Sequence, residues 1–225
     1  YSDIPVIDVS PQYNDSFTIG LKRISDVVIA SFAILFLSPV MAFIATMVKF
    51  SSPGPILFKQ KRIGKDGKEF NFYKFRSMYP NAHELLKKDL ELYAKYVKNN
   101  YKLGADEDPR LIKGGKFLRQ SSLDEFPQFL NVLKGEMSLI GPRAYYFFEI
   151  DEQVKRFPEA EPYLEKVLKI KPGITGLWQV SGRSDIGFVD RVKLDAKYAD
   201  NISLLYDLWI VLKTPYVVLT RKGAI

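Results

Sequence analysis

Cysteine is missing from this 225-residue chain and histidine occurs once. The first absence excludes thiolate catalysis and disulfides, and the second nearly excludes chemistry resting on imidazole. A chain without cysteine also fits a reducing compartment. The two common glycine patterns that cradle nucleotide phosphates, G-x-x-x-x-G-K-[ST] and G-x-G-x-x-G, do not occur. Internal repeats, low-complexity tracts and long linkers are absent too. If the chain is a catalyst, carboxylates and cations must carry its chemistry. Cations are in excess: 33 Lys and Arg against 26 Asp and Glu leave a net charge of +7. That excess implies anionic partners, whether nucleic acid, lipid headgroups or phosphorylated substrates.

What the chain does have is one long uncharged run, VVIASFAILFLSPVMAFIATMV, over residues 27–48. As a straight helix it would reach roughly 33 Å, enough to cross a hydrocarbon core. Two features speak against a simple span. Ser38-Pro39 lies at its centre, where proline removes a hydrogen bond and serine can satisfy a freed carbonyl. Both flanks are basic, with Lys22 and Arg23 before it and Lys49, Lys59, Lys61, Arg62, Lys65 and Lys68 after it. The positive-inside rule then assigns both ends to one side, as a re-entrant helix breaking at Ser38 and Pro39 would require. A kinked spanning helix is the competing reading. Near the C-terminus, NISLLYDLWIVLKTPYVVL is apolar but interrupted by Asp207 and Lys213. It reads as an amphipathic helix with Tyr206, Trp209 and Tyr216 at headgroup level, or as an ordinary core helix.

The remaining pattern predicts an α/β chain: a compact mixed helix and short-strand domain at a membrane surface. Residues 1–20 read as an N-terminal arm, the remnant of an upstream region, and 21–50 as the membrane helix. Residues 51–225 read as the functional domain. Two strands, 56–63 and 69–78, flank a Lys65-Asp66-Gly67 turn. Residues 81–100 read as one helix and 106–119 as a loop. Residues 149–168 read as helical with a break at Pro162, and 171–183 as a glycine-rich turn. Residues 188–198 read as a further helix. The strand FNFYKFRSM mixes aromatics with Lys74 and Arg76, but it lacks the glycines of an RNA-binding sheet, so no nucleic-acid partner is expected.

The segment SSLDEFPQFLNVLKGEMSLIGPR places Asp124 and Glu125 side by side, with Arg119 before them and Arg143 after. Ser122-x-x-Glu125 fits a helix capping box, in which Asp124 would only complement the helix dipole. The same acids between arginines also suit phosphate handling, and a carboxylate at a helix start is expected in its charged, nucleophilic form. Asp106-Glu107-Asp108 forms a D-x-D. It allows a competing reading, a metal-dependent glycosyltransferase that uses Asp106 and Asp108 and releases UDP.

KRISD, an apolar helix with central Ser-Pro, QKRIG, FYKFRSM, DPRL, FLRQSSLDEFPQFLNVLKGEMSLIGPR and KPGITGLWQVSGR follow one another in this order. The series resembles the bacterial sugar transferase family, the monotopic phosphoglycosyl transferases, from about residue 21 onward. The resemblance implies transfer of a sugar 1-phosphate from a UDP-sugar to undecaprenyl phosphate with release of UMP, at the cytoplasmic face of the bacterial inner membrane. This transfer begins surface-glycan assembly (exopolysaccharide or O-antigen). It implies Asp124 as the nucleophile forming a covalent phosphosugar, Glu125 as the Mg²⁺ partner, and Lys74, Arg119 and Arg143 as phosphate-binding groups. Lys171, Gln179 and Arg183 are implied nucleotide contacts. Inner-membrane lipid is an expected partner, and the oligomeric state stays open, a homo-oligomer included. The chain departs from the family pattern at Ala144, where GPRP is usual, and at Lys171, where arginine is frequent. The GLWQVSGR block looks like the longer members, and glucose or galactose is the sugar this suggests.

Overall fold

The computed structural model describes residues 16–98, 103, 104, 106–183 and 186–220. Most of the expected N-terminal arm lies outside these residues, and its last part is helix. α1 runs from Ser16–Ser51, longer at both ends than the uncharged run. It is followed by β1 (Leu57–Ile63), β2 (Glu69–Phe75), α2 (Ala82–Lys87), α3 (Leu90–Lys98), α4 (Gly115–Ser121) and α5 (Gln128–Lys134). Then come β3 (Ser138–Ile140), α6 (Phe147–Arg156), α7 (Glu161–Val167), β4 (Gly173–Thr175), α8 (Leu177–Ser181), α9 (Phe188–Asp200) and α10 (Leu204–Leu219). The mixed helix and short-strand architecture is the one expected.

The hairpin forms as read. β1 and β2 pair antiparallel from Leu57 opposite Phe75 to Ile63 opposite Glu69. The turn succeeds because Asp66 and Gly67 both take left-handed backbone, with φ of 58° and 73°. Along β2, Phe70 and Phe72 point inward while Glu69 and Asn71 face solvent, the period-two alternation of a half-buried strand. Asn131 ties α5 to this strand: its Oδ1 accepts from Tyr73 N at 3.2 Å and its Nδ2 donates to Asn71 O at 2.6 Å.

β3 and β4 form a second, parallel pair. Gly141 N donates to Thr175 O at 3.0 Å, and Gly173 N donates to Pro142 O at 2.9 Å. A Cβ at Gly141 or Gly173 would collide with backbone of the facing strand. The glycines of LIGPR and KPGIT are therefore two halves of one close contact, which clamps the chain just before Arg143.

Helix boundaries differ from expectation in four places. The helix expected over 81–100 is two, because Asp89 caps the second by accepting Leu92 N at 2.9 Å. The loop expected up to Arg119 ends at Gly114, so Arg119 stands on α4. The break in 149–168 falls at Phe157 and Pro158, while Pro162 sits in the first turn of α7, where a missing N–H costs little. The stretch 171–183 is not all turn, since it contains β4 and α8.

α1 is continuous through Pro39. Ser38 Oγ donates to Leu35 O at 2.7 Å, and Leu35 carries the carbonyl that Pro39 cannot reach, lacking an N–H. The helix touches the domain at both ends. Near its start, Arg23 donates to the Val132 and Leu133 carbonyls at 2.6 and 3.0 Å, capping α5. Asp26 accepts Leu139 N at 3.1 Å, Lys22 pairs with Asp207 of α10 at 2.5 Å, and Ala30 is fully buried. Near its end, Ile44 and Val48 are buried with Phe75, Ile112 and Leu118, and Ser51 Oγ donates to Lys113 O at 3.0 Å. Between these contacts Phe32, Leu35 and Phe36 are exposed. Among the described residues α1 is the one helix long and apolar enough to cross a membrane. α10 likewise exposes Leu205, Leu212 and Tyr216 while burying Ile210 and Asp207.

Candidate active site

The acidic pair lies on a 3₁₀ turn, Leu123–Glu125, between α4 and α5. Ser122 precedes it with φ 59°, a left-handed conformation that reverses the chain. Leu123 and Phe126 pack into the core with Phe75 and Leu118, which pins the turn from both sides. The capping box does not form. Ser122 makes no side-chain cap hydrogen bond, and Glu125 N is bonded to the Ser122 carbonyl at 3.1 Å. The Glu125 side chain turns instead to Lys74 on β2, whose Nζ donates to Oε1 at 2.5 Å. The same ammonium lies 3.7 Å from Asp124 Oδ2. One lysine thus holds both carboxylates.

Burial sets the electrostatics. Asp124 is 6% exposed. Desolvation, ahead of the opposing pull of Lys74, raises its pKa to about 6, contrary to the downward shift expected from a helix start. It remains mostly ionised at neutral pH. Burial also pushes Glu125 up, but Lys74, Gln128 and Arg143 together draw it down, and the net direction is down. For Lys74 burial pulls downward, yet Glu125 and Asp124 carry it above its ordinary value. The two neighbouring acids are thereby set apart.

The arginines arrive from separate elements. Arg119 on α4 faces Asp124 electrostatically and lies 4.0 Å from Asp108. Arg143 follows the clamped Gly141 and Pro142, its backbone N donating to buried Asp195 at 3.2 Å. Its charge is felt at Glu125. Arg183, at φ 53°, also feels Glu125, and burial lowers its pKa. Gln179 is turned inward, donating to Ile174 O at 2.9 Å. Lys171 is placed elsewhere, among Arg23, Asp26 and Lys65 beneath α1, with a pKa lowered by burial and then by Arg23.

The D-x-D carboxylates are already engaged with cations. Asp108 is gripped by both forks of Arg110 at 2.7 Å, Asp106 pairs with Lys116, and Glu107 with Lys95. Among the described residues no three acidic or histidine side chains gather as a metal cage. Asp124 and Glu125 still suit Mg²⁺, which is held by one or two carboxylates with substrate phosphates completing its shell.

Sequence reasoning missed four groups here. Arg62 counted only as a flanking charge, although it is 8% exposed and its guanidinium lies 3.3 Å from the Tyr146 ring. Glu149, Arg191 and Asp195 carry no local motif; only the fold brings them to the Arg143 loop. Asp195 is fully buried, accepts Tyr145 Oη–H at 3.2 Å, and burial raises its pKa to about 7.

The sequence profile described as bacterial sugar transferase matches residues 17–221. An "uncharacterized sugar transferase" of Haemophilus influenzae is 45% identical over 208 residues, 91% of this chain and 42% of that protein. The exopolysaccharide production protein ExoY of Sinorhizobium fredii is 40% identical over 202 residues, 89% of this chain and 86% of its own. The undecaprenyl-phosphate galactose phosphotransferase of Salmonella typhimurium is 41% identical over 208 residues, 91% of this chain and 41% of its own. The chain therefore spans about two fifths of the Haemophilus and Salmonella relatives and most of ExoY.

Proposed function

Since this chain belongs to the bacterial sugar transferase family, we propose that it transfers a sugar 1-phosphate from a UDP-sugar to undecaprenyl phosphate and releases UMP. The observation that carries this reading is the Asp124–Lys74–Glu125 arrangement, a buried, ionisable carboxylate held by one cation at 3.7 Å beside a second carboxylate at 2.5 Å. Asp124 Oδ2 attacks the β-phosphorus, and the bond from that phosphorus to the bridging oxygen breaks. UMP leaves with the electron pair, and an aspartyl phosphosugar remains. An oxygen of undecaprenyl phosphate then attacks the same phosphorus and Asp124 is regenerated. Each step moves negative charge, so fixed cations beside the reacting atoms lower the barrier. Lys74 and Arg119 serve the β-phosphate near Asp124. Arg143 and Arg183 serve the neighbouring phosphate near Glu125, and Gln179 supports the nucleotide from the α8 side. Lys171, placed beneath α1, would reach the nucleotide only after a rearrangement. Glu125 would hold Mg²⁺ together with the substrate phosphates, and the ion when bound would supply charge neutralisation of the diphosphate.

The acceptor is a lipid, so the site must sit at membrane depth. A straight span would carry the end of α1 across the bilayer from its start. Both ends of α1 pack on one body, which supports the re-entrant reading, with the domain at the cytoplasmic face of the inner membrane and α10 against the lipid surface. The competing glycosyltransferase reading needs a free D-x-D, and Asp108 is held by Arg110 at 2.7 Å on both oxygens.

The test is direct. The chain in nanodiscs is incubated with radiolabelled UDP-glucose or UDP-galactose and Mg²⁺, with and without undecaprenyl phosphate. UMP release and label on the protein, lost in Asp124→Asn, are expected. Release of UDP would overturn the proposal.

A further inference from the structure

Beside the acidic pair, Arg143 is joined by two further arginines around Glu149, with buried Asp195 accepting from the Arg143 backbone. Arg62 comes from β1, Arg143 from the loop after β3 and Arg191 from α9; Glu149 comes from α6. Glu149 Oε1 lies 3.3 Å from Arg191 and 3.8 Å from Arg143 Nε. Both guanidinium groups share the Trp178 ring, at 5.6 and 5.8 Å from its centroid. Arg62 stacks on Tyr146, whose hydroxyl is fixed to Gln60 at 2.7 Å. It has no ion-pair partner among the described residues and donates only to Ala144 O at 2.9 Å and, at 3.4 Å, to Gln60. The Nε groups of Arg62, Arg143 and Arg191 are all buried and all without a hydrogen bond.

These features are costly for a purely structural staple. A buried donor left unpaired costs about 1–3 kcal/mol, and a buried cation needs a counter-charge. Arg143 and Arg191 share Glu149 and feel the buried Asp195, whereas Arg62 has no carboxylate at ion-pair distance among the described residues, and Glu125 is paired with Lys74. Aromatic platforms hold the guanidinium planes without occupying their donors. Burial draws Arg62 down to about 10, the mark of a charge short of partners. A doubly charged group with several oxygens would supply the missing acceptors.

We propose that Arg62 and Arg191 join Arg143 in a phosphate-binding pocket next to Asp124 and Glu125, with Glu149 as an internal anion that keeps the arginines in place until a phosphate arrives. The proposal rests on the transfer reaction above and extends it to residues outside the acidic pair. The ligand class is a phosphate monoester or the terminal phosphate of a diphosphate. Its source is the uridine nucleotide or the polyprenyl phosphate.

Titration calorimetry on the chain in nanodiscs separates them, using UMP, UDP and a short-chain polyprenyl phosphate against wild type, Arg62→Lys, Arg191→Lys and Glu149→Gln. Lysine keeps the charge but loses the fork. Each lysine variant is expected to weaken binding about tenfold, the loss of one charge-assisted contact pair, with the thermal midpoint unchanged. Loss confined to UMP and UDP assigns the pocket to the nucleotide, and loss confined to the lipid assigns it to the acceptor. Wild-type affinity for all three ligands in both folded lysine variants overturns the proposal. Should either lysine variant fail to fold, Glu149→Gln decides. Removing the competing anion must tighten phosphate binding severalfold, and equal or weaker binding overturns the pocket. Nucleotide binding that depends on these arginines, in a chain that never releases UMP from any UDP-sugar, would instead sink the reaction and leave the pocket standing.

Discussion

Asp124 acts at the edge of its own ionisation range. Its carboxyl titrates at about 6 because burial outweighs Lys74, so the rate of protein labelling by UDP-sugar should rise through pH 6 and level off above it. Lys74→Met removes the charge that holds Asp124 down, so the rising limb should move to higher pH as the plateau falls. A limb that stays in place would mean that Asp124 is not the titrating nucleophile. Stability runs the other way. A carboxyl with a folded pKa raised above its unfolded 3.8 contributes stability fully present below the unfolded value and lost as pH rises through about 6. Asp124→Asn should therefore abolish labelling while leaving the thermal midpoint at pH 7.5 unchanged or raised. A lowered midpoint would mean that the carboxylate is structural. At this scale the acidic pair, Lys74, Arg119 and Arg143 were legible because each sits in a dense local motif. The upward shift of Asp124 was not, since helix position is visible in a sequence and burial against Leu118 and Phe75 is not. Arg62, Glu149 and Arg191 escaped for the same reason: the fold joins them across distant elements, with Arg62 82 positions from Ala144 and Glu149 42 from Arg191.

At the scale of elements, α1 carries the strongest contrast between what was legible and what was not. Ser38-Pro39 announced a weak point, and the serine does satisfy the Leu35 carbonyl. The true ends were hidden because Lys22, Arg23 and Asp26 look like a boundary. They remain helical because Asp207, the α5 carbonyls and Leu139 N take up their charges. α4 was hidden by Gly114-Gly115, which read as loop. Gly115 nevertheless begins α4, and it is glycine because a Cβ there would strike Ser77 O. Topology is the matching test. This chain has no cysteine, so within it Gly20→Cys and Lys49→Cys each introduce the sole thiol. If α1 is re-entrant, an impermeant maleimide should reach neither site from the periplasm and both after the inner membrane is opened. Labelling of one site in intact spheroplasts would establish a span. Proline inside a helix costs about 3 kcal/mol, so Pro39→Ala should favour the straight form and move a fraction of Gly20→Cys into periplasmic reach.

For the whole molecule, α1 and the domain share one core. Ile44 and Val48 are 2% and 0% exposed, and each belongs to the core that also buries Phe75 and Leu118, the residues backing the Asp124 turn. Burying such side chains contributes about 1.5–3 kcal/mol each. Arg23 and Asp26 add three hydrogen bonds between α1 and α5 or β3, worth about 0.5–1.5 kcal/mol apiece. The sum, on the order of 5–10 kcal/mol, matches the whole net stability of an ordinary domain. A chain beginning at residue 52 should therefore lose cooperative folding even in detergent-free buffer. The expected signs are a flat near-ultraviolet dichroism spectrum, a shallow urea transition and no binding of UDP, while the full chain in nanodiscs shows all three in native form. A truncated chain that melts cooperatively at the full chain's midpoint would show that α1 is only an anchor. If it unfolds, the depth of Asp124 in the membrane follows from the same contacts that fold the domain. On the proposed reaction, Asp124 then cannot be moved away from the lipid surface without losing the turn that holds it.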